Sequence, residues 1–116
     1  MTRRDAAREL REVDAVFAAL AHASRRHVLL VLHARGGEMS AGEIASRFAC
    51  SWPTTTRHLK RLVEAGLVRV EKEGRERLYR LDADTLRRVA GGWLGSFDRR
   101  HPAPDRKPPK AARSEP

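Results

Sequence analysis

Residues 51–66 read Ser51-Trp-Pro-Thr-Thr-Thr-Arg-His-Leu-Lys-Arg-Leu-Val-Glu-Ala-Gly66. Ser51 is a strong N-cap residue, and Pro53 falls in the first turn, where a missing amide hydrogen costs no intrahelical bond. Gly66 stops the helix, because glycine enters the left-handed cap without a Cβ penalty. With Leu59 at the centre of the buried face, a turn of about 100° per residue places Thr55, Leu62 and Val63 on the same side. Pro53, Thr54, Arg57 and Arg61 point away. Thr56 and Lys60 lie on one flank and His58 on the other. The outward face is made of hydroxyls and cations.

Upstream, Ser40-Ala-Gly-Glu43 is a capping box opening a short helix whose inward residues are Ile44, Ala45 and Phe48. Ala49-Cys50 is the turn between the two helices. Downstream, Leu67–Glu71 and Glu76–Leu81 alternate with period two, and Gly74 lies between them as a hairpin turn. Lys72, Arg75 and Arg77 place cations around its tip.

Further out, Leu10, Val13, Phe17 and Leu20 recur at helical spacing, giving a first helix over Asp5–Ala21 with one narrow apolar stripe. His22-Ala23-Ser24 breaks it, and Ser24 is positioned to cap the next helix, Arg25 to about Arg35, which Gly36-Gly37 ends. After the hairpin, Asp82 or Asp84 starts a last helix with the stripe Leu86, Val89, Trp93 and Phe97. Gly91-Gly92 weakens it by about 1 kcal/mol per glycine, enough to kink or end it there. Residues 1–98 therefore form one folded unit. Residues 99–116, rich in Pro, Lys and Arg, read as a disordered basic tail.

The 116-residue chain carries a net charge of +9, with 34% charged and 5% aromatic residues. Its core must be built from Leu, Val and Ala, and its partner is expected to be acidic. An Arg-rich composition also arises from genome bias, so charge alone does not name the partner. One cysteine excludes an internal disulfide and a multi-cysteine metal site. The N-terminus lacks a secretory pattern, and the apolar runs Val16–Ala21 and Val28–Leu32 are too short to span a bilayer. A soluble, cytoplasmic protein without membrane association is expected.

The order helix, turn, polar-faced helix and hairpin predicts a winged helix-turn-helix, mainly α with a small β-hairpin wing. Such a helix suits a DNA major groove. Arg57 and Arg61 can pair with guanine, Thr54 and Thr56 can meet thymine methyls or phosphates, and Lys60 can neutralise phosphate. The amides and dipole near Ser51 add a phosphate site.

Three blocks also resemble the ArsR/SmtB-type winged-helix repressors: Phe17-Ala-Ala-Leu-Ala-His-Ala-Ser-Arg-Arg-His-Val-Leu29, residues 51–68, and Glu73-Gly-Arg-Glu-Arg-Leu-Tyr-Arg-Leu81. The resemblance spans about residues 10 to 94. It implies a homodimer joined through the first and last helices; the stripes Leu10, Val13, Phe17, Leu20 and Leu86, Val89, Trp93, Phe97 are then its expected surface. The other reading of these stripes is the subunit's own core, which two half-buried stripes at the chain ends fit less well. It implies binding to double-stranded DNA at an inverted repeat, usually to repress. On the family pattern Trp52, Pro53, Thr56 and Arg57 meet the groove, and the wing near Lys72 and Arg75 follows backbone or minor groove. Trp52 departs from the polar residue common there, and its indole can also pack on the domain or stack on a sugar.

Metal-sensing members use a Cys-x-Cys pair before the recognition helix or Asp and His ligands on the last helix. Neither pattern occurs before His101, so no metal or cofactor is expected. His22, His27 and His33 read as surface or capping residues, and Cys50 as a small buried hydrophobe. The basic tail either adds sequence-blind DNA affinity or is an inert end. No nucleophile–base pair or phosphate-cradling loop suggests an enzyme. The competing reading is a winged-helix module that binds RNA or a protein, and the residues name no inducer.

Overall fold

The computed structural model describes residues 2–98; the expected tail and His101 lie outside them. Eight elements follow in order: α1 (Arg3–Leu20), α2 (Ala23–Ala34), β1 (Glu38–Ser40), α3 (Ala41–Arg47), α4 (Trp52–Glu64), β2 (Val68–Glu73), β3 (Glu76–Leu81) and α5. We use α5 for one continuous coil made of an α-helical turn (Ala83–Leu86), a π-helical segment (Arg87–Gly91) and a final turn (Gly92–Gly95). The glycine pair therefore does not end the last helix; both glycines keep helical angles, and the widened segment ends at Gly91.

Local signals explain most boundaries. Ser40 Oγ accepts from the Glu43 amide at 3.1 Å while Glu43 Oε1 accepts from the Ser40 amide at 2.9 Å, completing the capping box. α4 ends in a Schellman motif: Leu67 N donates to Leu62 O and Gly66 N to Val63 O, each at 3.0 Å. Gly66 has φ of 80°, and the flanking Leu62 and Leu67 are both fully buried, the apolar contact this motif favours. The hairpin turn holds only Gly74 and Arg75, and Gly74 takes the positive φ of 62° that such tight turns require.

Several boundaries differ from expectation. α1 begins at Arg3 because Thr2 and Asp5 form a capping box of their own. His22, not Ser24, caps α2: its Nδ1 accepts from the Ser24 amide at 3.3 Å. Ala45 and Cys50 are exposed rather than inward, because the short α3 buries chiefly Ile44 and leaves the turn on the surface. The hairpin also gains a third strand. β1 pairs antiparallel with β3 in the order β1-β3-β2, with Met39 and Val70 both opposite Tyr79. Arg80 bridges all three strands, meeting Glu38 at 2.8 Å and Glu71 at 3.0 Å.

The core joins Val16, Val28, Leu29, Leu32, Met39, Ile44, Leu59, Leu62, Leu67, Val68, Tyr79 and Val89. Val89 is only 5% exposed, so this member of the expected dimer stripe belongs to the subunit's own core. Val13, Leu20 and Leu86 also pack against that core. By contrast Leu10, Trp93, Leu94 and Phe97 are exposed. Phe17 and Trp93 meet edge-to-face at 5.3 Å, and the Glu12 carboxylate takes two bonds from Arg88, at 3.0 and 2.7 Å. These contacts lay α1 beside α5.

Candidate nucleic-acid interface

α4 is the scaffold of the site. Its inner face buries Thr55, Leu59 and Leu62, which fixes its rotation and forces Trp52, Pro53, Arg57, Lys60 and Arg61 outward. Its first turn is ordered by hydroxyls: Ser51 Oγ accepts from the Thr54 amide at 3.4 Å and donates to Thr54 Oγ1 at 3.1 Å. Arg57 Nη2 donates to the same Thr54 oxygen at 3.2 Å. One guanidinium nitrogen is thus steadied against the helix start while the others stay open. Trp52 is 40% exposed beside this turn, so its indole is only partly packed on the domain.

The hairpin supplies the second part. Lys72 stands directly opposite Arg77, and Glu73 opposite Glu76, all exposed. Like charges facing across a ladder weaken a hairpin; the Lys72–Arg77 pair offers two adjacent cations to an outside anion, and the Glu73–Glu76 pair beside it does not. The cations elsewhere divide: Arg3, Arg4, Arg11 and Arg47 also lack a carboxylate partner among the described residues, and Arg25 and Arg26 bond backbone carbonyls. Arg8, Arg35, Arg69, Arg80, Arg87 and Arg88 each pair with a carboxylate. Among the described residues, Arg57, Lys60 and Arg61 of α4 and Lys72, Arg75 and Arg77 of the hairpin have no such pair.

Two residues expected on the flanks of α4 and counted among the DNA-contacting set turn inward. Thr56 Oγ1 is buried without a hydrogen-bond partner, in a cleft of about 190 Å³ between α4 and the hairpin that Lys60, Val70, Arg77 and Tyr79 also line. His58 packs its ring 4.4 Å from that of His22, and its Nδ1 lies 3.3 Å from Arg25 Nη1. A guanidinium only donates, so Nδ1 accepts and the neutral ring carries its hydrogen on Nε2. Desolvation, followed by the nearby His22, Arg25 and Arg57, holds the His58 pKa below the ordinary 6.5.

Sequence reasoning passed over Arg25 and Arg26. Arg25 donates to Ala19 O at 2.8 Å and Ala18 O at 3.2 Å, and Arg26 to Leu20 O at 2.7 Å. They cap the last carbonyls of α1, where the helix dipole favours a cation, and Arg25 joins that end to α4 through His58. Two arginines just after a helix break were the available signal. No group of three His, Cys, Asp or Glu among the described residues is arranged to hold a metal ion. No single helix there is long and apolar enough to cross a membrane.

Comparison with known proteins agrees with this geometry. A family model described as a helix-turn-helix domain matches residues 20–71. The transcriptional repressor SdpR of Bacillus subtilis is 35% identical over 82 residues, covering 71% of this chain and 88% of that protein. The solved structure of an ArsR-like transcriptional regulator from Rhodococcus superposes with a TM-score of 0.64 at 33% identity, covering 75% of this chain and 82% of that one. A homodimeric winged helix-turn-helix DNA-binding domain from Mycobacterium bovis, titled a possible ArsR-family regulator, gives 0.65 at 29% identity, covering 84% and 89%.

Proposed function

We propose that this chain, which belongs to the ArsR-type family of winged helix-turn-helix transcriptional regulators, is a homodimeric repressor that reads an inverted-repeat operator. The carrying observation is the convergence of charge: the outer face of α4 and the adjoining hairpin present Arg57, Lys60, Arg61, Lys72, Arg75 and Arg77, none of them paired with a carboxylate among the described residues. In this reading α4 enters the major groove. Arg57 and Arg61 reach base edges, while Lys60, Lys72, Arg75 and Arg77 neutralise phosphate. Ser51, Trp52, Pro53 and Thr54 lie at the helix end nearest the DNA. Thr56 and His58 support the helix rather than touch bases.

The second copy is assigned to the apolar strip of exposed Leu10, Trp93, Leu94 and Phe97 with half-buried Phe17 between them. The M. bovis relative's homodimeric state supports a dimer. A two-fold axis through that strip would set two copies of α4 in successive major grooves, about 34–36 Å apart. Residues 1–98 are the working unit, acting on DNA in the cytoplasm without catalysis, metal or cofactor.

Selection from random duplexes at two salt concentrations tests the reading. Enrichment of an inverted repeat is expected. Binding that only fades with salt, with no enriched sequence, would sink it and favour an RNA or protein partner.

A further inference from the structure

A cleft of about 470 Å³ lies beneath the turn joining α3 to α4, a size within the usual ~300–1,000 Å³ of small-molecule sites. Ala23, Val28 and Phe48 give it apolar walls, and Thr55 and His58 of α4 close one side. Its charge is one-sided. Arg47 lines it and has no ion pair among the described residues, and no carboxylate is among the lining residues. Ala23 and Ser24 bring in the first turn of the 12-residue α2, the positive end of its dipole. His58 stays neutral, its Nδ1 committed to Arg25, so it adds a donor and no acidic group.

We propose that this cleft binds a small apolar carboxylate, its carboxyl group held by Arg47 and its body against Ala23, Val28 and Phe48, and that occupancy alters DNA binding. The coupling follows from the lining. A molecule seated there touches α2, the turn residues Ala49 and Cys50, and the inner flank of α4 together. Any preference for one setting of α4 then appears as a change in operator affinity. This second half rests on the DNA-binding reading; the binding site itself does not.

Cys50, the chain's one cysteine, is exposed and lines the cleft, so its reactivity reports occupancy without DNA. The full chain is treated with dithiobis(nitrobenzoate), with phenylacetate as the trial ligand and benzyl alcohol as its uncharged control. Phenylacetate is expected to slow Cys50 modification severalfold and benzyl alcohol to leave it unchanged. Arg47 is exposed, so Arg47→Gln keeps the fold and should weaken protection by about tenfold, the worth of one charge-assisted contact. No protection, equal protection by both compounds, or protection indifferent to Arg47→Gln overturns the site. On a duplex enriched by selection, phenylacetate should shift affinity by about fivefold or more. Protection of Cys50 with unchanged affinity overturns the regulatory half. If no duplex is enriched, the DNA reading fails while Cys50 protection still decides the cleft.

Discussion

Thr56→Val should stabilise the fold and leave sequence preference intact. Thr56 Oγ1 is buried with no partner, and an unsatisfied buried hydroxyl costs about 1–3 kcal/mol. Valine has nearly the same shape and a similar helix propensity, so little offsets the relief. Thr56 as a residue is only half-buried, and a small shift of Lys60 or Arg77 would let water in, which places the gain near the low end, about 1 kcal/mol. For a domain of about 100 residues that raises Tm by roughly 4–8 °C. Urea unfolding followed by circular dichroism measures the stability, and competition between operator and single-base variants measures the preference. Destabilisation by more than about 0.5 kcal/mol, beyond ordinary surface scatter, would mean the hydroxyl has a partner. Lost discrimination at one base pair would mean it turns out toward the groove. Either result refutes the assignment.

Arg57→Ala should weaken operator binding by about 1–3 kcal/mol and relax preference at one base pair; equal loss on every duplex would reduce it to a phosphate contact. Arg75→Ala should weaken all duplexes alike and lower the salt slope by about 1, and an unchanged slope would take the hairpin tip out of the interface. Leu10→Asp, placed in the exposed strip, should give monomers by light scattering with the helical spectrum preserved; a persistent dimer would put the contact elsewhere. His58 gives a pH signature. Its folded pKa lies below the unfolded 6.5, so the unfolded chain binds the extra proton first. Stability should therefore fall as pH drops below about 6.5, and His58→Gln should flatten that slope in urea titrations. An identical slope in the variant would assign the pH dependence to other groups.

Much of the architecture was legible because its signals are local. The Ser40–Glu43 box, the Ser51 cap, the Gly66 stop and the Gly74 turn each depend on hydrogen bonds or backbone angles within a few residues. The inner face of α4 followed from periodicity, and the structure buries Thr55, Leu59 and Leu62 as that predicts. Residue identities therefore decided the helix-turn-helix and the hairpin.

Only the tertiary structure could decide the rest, because the partners are distant in sequence. β1 is three residues long and exists by pairing with β3, some forty residues later. Val89 reads as one member of an apolar stripe, yet α5 packs against α1 and takes it into the core while leaving Trp93 and Phe97 outside. A helical wheel places His58 and Thr56 on flanks. Arg25 on one side and the β-sheet on the other turn both flanks toward protein. A residue's own neighbours set its local geometry, and the packing of remote elements sets what that geometry is presented to.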